Sequence, residues 1–224
     1  MIRKIKYFLQ ALLEVALEGF KSLISNKPKF YHHIILINIL TYFATHFFLS
    51  MGTVKHLIGY SFYSDNFEIW QPITSMFMHG GFWHLFINML VFWSMAGMFE
   101  KMMSKIQFAT LYFTAGLVGY CLQSVFSDPN IPMVGASGAV FGFLASAIIL
   151  TPNKKFYIIF FPFIGFKAKW LISIGLLTEL VLGIVSAKTG IGHMCHFGGG
   201  ITGILISGFW VTKKIPNYIK SFIK

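Results

Sequence analysis

The sequence predicts an all-α integral membrane protein, a bundle of six transmembrane helices with both termini in the cytoplasm and an amphipathic helix in front. Three observations predict it. The 224 residues are 56% hydrophobic and only 11% charged, where a soluble domain carries about 25% charged residues. The mean hydropathy is +0.70. The apolar residues also fall into blocks of roughly membrane-spanning length.

Six blocks stand out, at 32–51, 80–99, 107–126, 137–151, 168–187 and 194–212. Most have the roughly 20 residues that a helix needs to cross a hydrocarbon core of about 30 Å. The fourth is short, closed by Thr151-Pro152-Asn153 and the lysines that follow. Residues 1–30 place Ile2, Ile5, Leu9, Leu12, Ala16, Phe20 and Leu23 at helical spacing, opposite Glu14, Glu18 and Lys21. Such a helix lies on the inner leaflet; the alternative is a soluble partner-binding tail. The domain reading is therefore an N-terminal segment at 1–30, a membrane domain at 31–213 and a basic tail at 214–224.

The net charge of +11 raises nucleic acid as a partner, and its distribution argues against it. The cations sit between the apolar blocks rather than along one aromatic-studded element. Sixteen lie on one side of the predicted membrane, in the N-terminal segment, the second and fourth loops and the tail; only Lys55 and Lys188 lie on the other. The positive-inside rule puts both termini in the cytoplasm. Cys121 and Cys195 fall inside apolar blocks, so no disulfide framework is expected. Glu14 and Glu18 interrupt the N-terminus before any signal-peptide core develops. With the compact length, that favours a bacterial plasma membrane over an organellar one.

Polar side chains inside spans are costly and mark function by default. The second, fourth and sixth spans run inward, and each ends in lysine. From His84 to Lys101, from Ser137 to Lys154 and from His196 to Lys213 the count is 17 each time. Seventeen residues make roughly 26 Å of helix. Lysines at the inner interface would therefore set all three residues at one depth near the outer face.

Ser137 follows the loop Asp128-Pro129-Asn130-Ile131-Pro132 and so falls at a helix N-terminus, where unpaired N–H groups and a positive dipole suit an oxyanion. A serine needs a base to become a nucleophile, and His196 is the candidate. Gly199 and Gly203 lie on its face, and Ala139, Gly142 and Ser146 thin the fourth span, so the two backbones can approach closely. His84 and Asn88 share one face of the second span and can donate to an oxyanion. Phe141, one turn below Ser137, can stack on the imidazole. No Asp or Glu is expected near these residues, since Glu100 is at the inner end of its span and Glu179 midway along the fifth. That favours a dyad over a triad.

In His79-Gly80-Gly81-Phe82-Trp83-His84-Leu85-Phe86-Ile87-Asn88, Gly135-Ala136-Ser137-Gly138 and His196-Phe197-Gly198-Gly199-Gly200-Ile201-Thr202-Gly203, the chain resembles the rhomboid intramembrane serine proteases over roughly residues 68–210. The resemblance implies hydrolysis of transmembrane protein substrates in the bilayer, without metal or cofactor. Ser137 is then the nucleophile and His196 the general base. His84, Asn88 and the Ser137 amide hold the oxyanion, and water enters from a cavity on the outer face. The family's Trp-Arg pair in the first outer loop is here Trp70-Gln71, which bears on the anchoring of that loop. Phe141 stands where some members have tyrosine, and Ser104 where a glycine often follows the acid ending the second span.

Two other readings share these residues. One is a non-catalytic rhomboid-like protein that binds transmembrane helices. The other is a transporter or zinc site on His79, His84, His193 and His196, against which stands the lack of His-Glu-x-x-His spacing. The oligomeric state is open.

Overall fold

A computed structural model describes residues 29–158, 161–185 and 190–212. Most of the amphipathic segment, Lys188, Lys213 and the basic tail lie outside the described residues. Helix α1 (Phe30–Phe43) passes into a π-turn (Ala44–Phe48), followed by the short α2 (Met51–Leu57) and α3 (Gln71–Thr74) of the first outer loop. Then come α4 (Phe82–Phe99), α5 (Lys105–Phe126), α6 (Ser137–Leu150), α7 (Ala168–Val185) and α8 (His193–Thr212). Four of these, α4, α5, α7 and α8, are long and apolar enough to cross a membrane, and α6 is a shorter apolar helix.

The all-α expectation needs one correction. Strands β1 (Lys155–Ile158) and β2 (Phe161–Lys167) form an antiparallel hairpin between α6 and α7, pairing Lys155 with Lys167. Its aromatic and β-branched run favours extended backbone. Period-free apolarity conceals such a strand in a chain that is apolar throughout.

The three helices α5, α6 and α8 pack most extensively on one another, α7 lies against α8 and α6, and α1 against α4. The end of the bundle away from Ser137 is filled by large rings. Phe92, Phe99, Phe108, Tyr112 and Phe143 are fully buried, with Phe108 and Phe143 centroids 4.5 Å apart. Towards Ser137 the α6–α8 interface is made of glycine instead. A Cβ on Gly199 would run into the Gly138 carbonyl, and one on Gly203 into that of Gly142. Ser146 Oγ donates to the Gly142 carbonyl at 2.9 Å and lies 3.3 Å from that of Gly203, which locks the seam. Lipid adds no hydrophobic force between helices, so such close contact is what holds them.

The first outer loop is tied down by buried polar contacts. Gln71 is fully buried; its Oε1 accepts from the Tyr60 N–H at 3.3 Å and its Nε2 donates to the Asn66 carbonyl at 2.9 Å. Ser61 Oγ donates to the Ser124 carbonyl, and Ser124 Oγ accepts from the Phe62 N–H, both at 2.7 Å. Ser61 and Ser124 thus anchor the loop to α5, while Gln71 ties the loop to itself. A single β-bridge, Gly59 to Met133, joins it to the strand of chain leading into α6.

Two outcomes follow from these contacts. Gly203→Val is expected to force α6 and α8 apart and to cost about 1–3 kcal/mol. Gln71→Ala strands the buried Tyr60 N–H and frees the part-buried Asn66 carbonyl, and should cost about 1–3 kcal/mol. Thermal unfolding of each purified variant in detergent checks both, and an unchanged midpoint would contradict the packing described.

Candidate active site

The chain reaches α6 through an extended stretch that turns at Gly135, whose φ of +126° excludes most side chains. A Cβ there would also stand 2.8 Å from His84 Nε2, so the His84 ring lies directly on this backbone. The Gly135 N–H donates to the Ser75 carbonyl at 2.9 Å, which fixes the turn to the outer loop. Two residues later α6 begins at Ser137, with Ala136 as an N-cap whose side chain cannot accept from the first turn; the Gly138 N–H faces the Cys195 sulfur. Its leading N–H groups have no carbonyl of their own helix to bond. Ser137 is partly exposed, and Ala136 beneath it is buried.

A cavity of about 550 Å³ opens above this point. Ser137, His196, His84, Asn88 and Phe141 all line it, together with the Asp128–Gly135 loop and Gly190-Ile191-Gly192 ahead of α8. Phe141 and His196 rings stack at 4.3 Å with only 5° between their planes, so the imidazole is held flat against α6. Asn88 is buried and gives one amide N–H to the His84 carbonyl at 2.9 Å. An amide has a second N–H to offer. The His84 ring meets that of His79 edge to face at 5.1 Å. Gly199 and Gly203 lie below, at the backbone contact with α6.

The expectation that no acidic residue stands near the histidine is corrected. Glu179 Oε2 is 2.6 Å from His193 Nδ1 and 3.2 Å from His196 Nδ1. Register explains it. Helices α7 and α8 cross where Gly183 admits Met194, whose backbone nitrogen would lie 3.4 Å from a Cβ at that glycine. One turn along α7 from Gly183 is Glu179, and two residues, about half a turn, along α8 from Met194 is His196. Glu179, His193 and His196 are also the one group among the described residues with three potential metal-ligand atoms, all within 4.8 Å. The four-histidine arrangement is not formed, because His79 pairs with His84 while His193 turns to Glu179.

This geometry can be set beside known proteins. The sequence model of the Rhomboid domain matches residues 66–213. The chain belongs to the rhomboid family. It is 29% identical over 191 residues to Rhomboid protease GluP of Bacillus subtilis, covering 83% of this chain and 34% of that one. It is 29% identical over 160 residues to Putative rhomboid protease YdcA of the same organism, covering 71% and 76% respectively. It is also 33% identical over 114 residues to Inactive RHOMBOID-like protein 8 of Arabidopsis thaliana, covering 48% and 31%. The chain thus spans about a third of the length of GluP. As a rhomboid with these apolar helices it is an integral membrane protein.

Sequence reasoning missed Glu179, His193 as its partner, and Gln123, whose Oε1 accepts from the Cys195 N–H at 3.1 Å at the start of α8. The available signal for Glu179 was its type. It is one of only seven acids, and an acid inside an apolar span is costly unless paired.

His79 stands outside the spans, in the turn before α4, and is buried. Burial first, and then the neighbouring His84 ring, push its pKa down to about 4, from an ordinary value near 6.5. The folded protein therefore keeps His79 neutral where the unfolded chain protonates it. Its contribution to stability is complete above about pH 6.5 and is lost as pH falls towards 4, by up to roughly 3 kcal/mol. Unfolding midpoints measured from pH 7 to pH 4 should fall more steeply in the wild type than in His79→Gln; parallel slopes would contradict it.

Proposed function

We propose that this rhomboid is an intramembrane serine endopeptidase that hydrolyses peptide bonds in or near the transmembrane segments of other membrane proteins. The observation that carries the reading is the convergence of Ser137, His196, His84 and Asn88 on one cavity at the uncapped start of α6. Ser137 is the nucleophile. His196, held against Phe141, takes its proton and later returns it to the leaving amine. The Ser137 amide, the second Asn88 N–H and His84 stabilise the oxyanion in that cavity. Gly199 and Gly203 support the site by letting α8 approach α6. No cofactor enters these steps.

The topology belongs to the same reading. The domain at 31–213 crosses the bilayer six times, with α1 and α6 as the two further spans and both termini cytoplasmic. The 16-to-2 distribution of cations favours it, as does the Lys29–Glu100 pair at 3.3 Å, which joins the start of α1 to the inner end of α4. The cavity then opens near the outer face. Two of the similar proteases come from Bacillus subtilis, and a bacterial plasma membrane is the proposed location.

Incubating the purified chain with tagged single-span substrates and with a fluorophosphonate probe tests the reading. Wild-type protein should label and cleave, Ser137→Ala should do neither, and His196→Ala should lose at least about 10³-fold in rate. Cleavage that survives Ser137→Ala would sink the mechanism. A wild-type chain that neither labels nor cleaves would favour a non-catalytic helix-binding rhomboid.

A further inference from the structure

The Glu179 carboxylate and the His196 imidazole form a contact that a two-residue mechanism leaves unused. A histidine that removes a proton with Nε2 must carry its own proton on Nδ1. His196 Nδ1 is buried with no full hydrogen bond, so that proton cannot be given to water. Among the described residues, the charged group in reach is Glu179, 3.2 Å away. At that distance the pair falls short of good hydrogen-bond alignment, and a small rotation of either group would complete it.

Three features hold the arrangement. The 2.6 Å contact with His193 Nδ1 holds the same carboxylate oxygen, Oε2, that faces His196, and the His193 side chain is 7% exposed. Phe141 lies parallel on the face of the His196 ring and prevents it from tilting away. The glycine at 183 lets α7 and α8 approach at this level. With Nδ1 turned to Glu179, Nε2 is the nitrogen left to serve Ser137. An ionised acid in a span is expensive, and two imidazoles on one carboxylate offset that cost only while they stay in place.

We propose that Glu179 is a positioning residue for the proteolysis proposed above, orienting His196 through Nδ1 and balancing the imidazolium that forms during attack. The inference rests on that proteolytic reading. The Ser137 hydroxyl proton passes to His196 Nε2 as Oγ bonds the scissile carbonyl carbon, whose π electrons move onto its oxygen. When the tetrahedral species collapses, the C–N bond breaks and the Nε2 proton goes to the leaving amine. Glu179 stays ionised throughout and neither gains nor loses a proton. His193 acts one step further out, by holding Glu179.

The test measures fluorophosphonate labelling rate, substrate kcat and KM, and thermal midpoint for full-length wild type, Glu179→Gln, Glu179→Asp and His193→Gln. Glu179→Gln should fold, bind substrate with KM within about twofold, and lose roughly 10²–10⁴-fold in both kcat and labelling rate. Glu179→Asp, which keeps the charge, should recover at least about tenfold over Glu179→Gln. His193→Gln should lower kcat by about tenfold at unchanged KM. Folded Glu179→Gln that labels and turns over at the wild-type rate overturns the proposal. So does equal inactivity of Gln and Asp variants in step with a lowered midpoint, which marks a structural role. If Glu179→Gln does not fold, His193→Gln decides, and wild-type kcat in that variant overturns the proposal. A wild type that fails to label is a different result, for it removes the proteolytic reading itself.

Discussion

The backbone-to-backbone contact of α6 and α8 governs the rest of the molecule. Gly199 meets the Gly138 carbonyl and Gly203 that of Gly142, so the helices touch without side chains between them. Ser137 sits one residue from the first contact and His196 three residues from it. Their separation is therefore set by the helix axes rather than by long, adaptable side chains. In a bilayer, where apolar faces gain nothing by leaving lipid for each other, shape alone sustains such a contact. The Ser146 hydroxyl bridging the Gly142 and Gly203 carbonyls adds direction to it.

Around that seam the molecule divides by depth. The end away from Ser137 is a packed aromatic core, with Phe92 meeting Phe108 and Phe143 edge to face and Phe108 tilted against Phe143. The end that holds Ser137 leaves space for the cavity, and the polar groups around it are tied to one another. Ser61, Ser124 and the Tyr120 hydroxyl, which donates to the Tyr60 carbonyl, carry the outer loop on α5. The Gly59–Met133 bridge passes that order to the chain entering α6. The loop thus sets the approach to Ser137 without contributing chemistry.

Much of this was legible in the sequence because lipid imposes strict rules. Apolar block length predicted the helices to within a few residues. The cation bias and the equal counts from Ser137, His84 and His196 to a following lysine pointed to one level in the bundle. What escaped has specific physical reasons. The hairpin at 155–167 is apolar in an apolar chain, so no change of period announces it. Gln71 is ordinary in composition, and only its complete burial reveals an anchor. Glu179 was set aside on depth, since counting along a single helix cannot show which turn of α7 faces which turn of α8. That register depends on Gly183 and Met194, a contact that one-dimensional spacing does not contain.

The start of α6 carries a thermodynamic implication of its own. A helix that begins without a capping side chain forgoes about 1 kcal/mol that serine or aspartate at the preceding position would supply. Ala136 occupies that position, so the leading amides of α6 receive no side-chain cap from the preceding residue, at a standing cost in stability. Binding linkage turns that deficit round. Any group that places an oxygen anion on those amides binds the folded chain alone and stabilises it. The same few amides that weaken the resting helix thus make the protein sturdiest when an anion is bound at the start of α6.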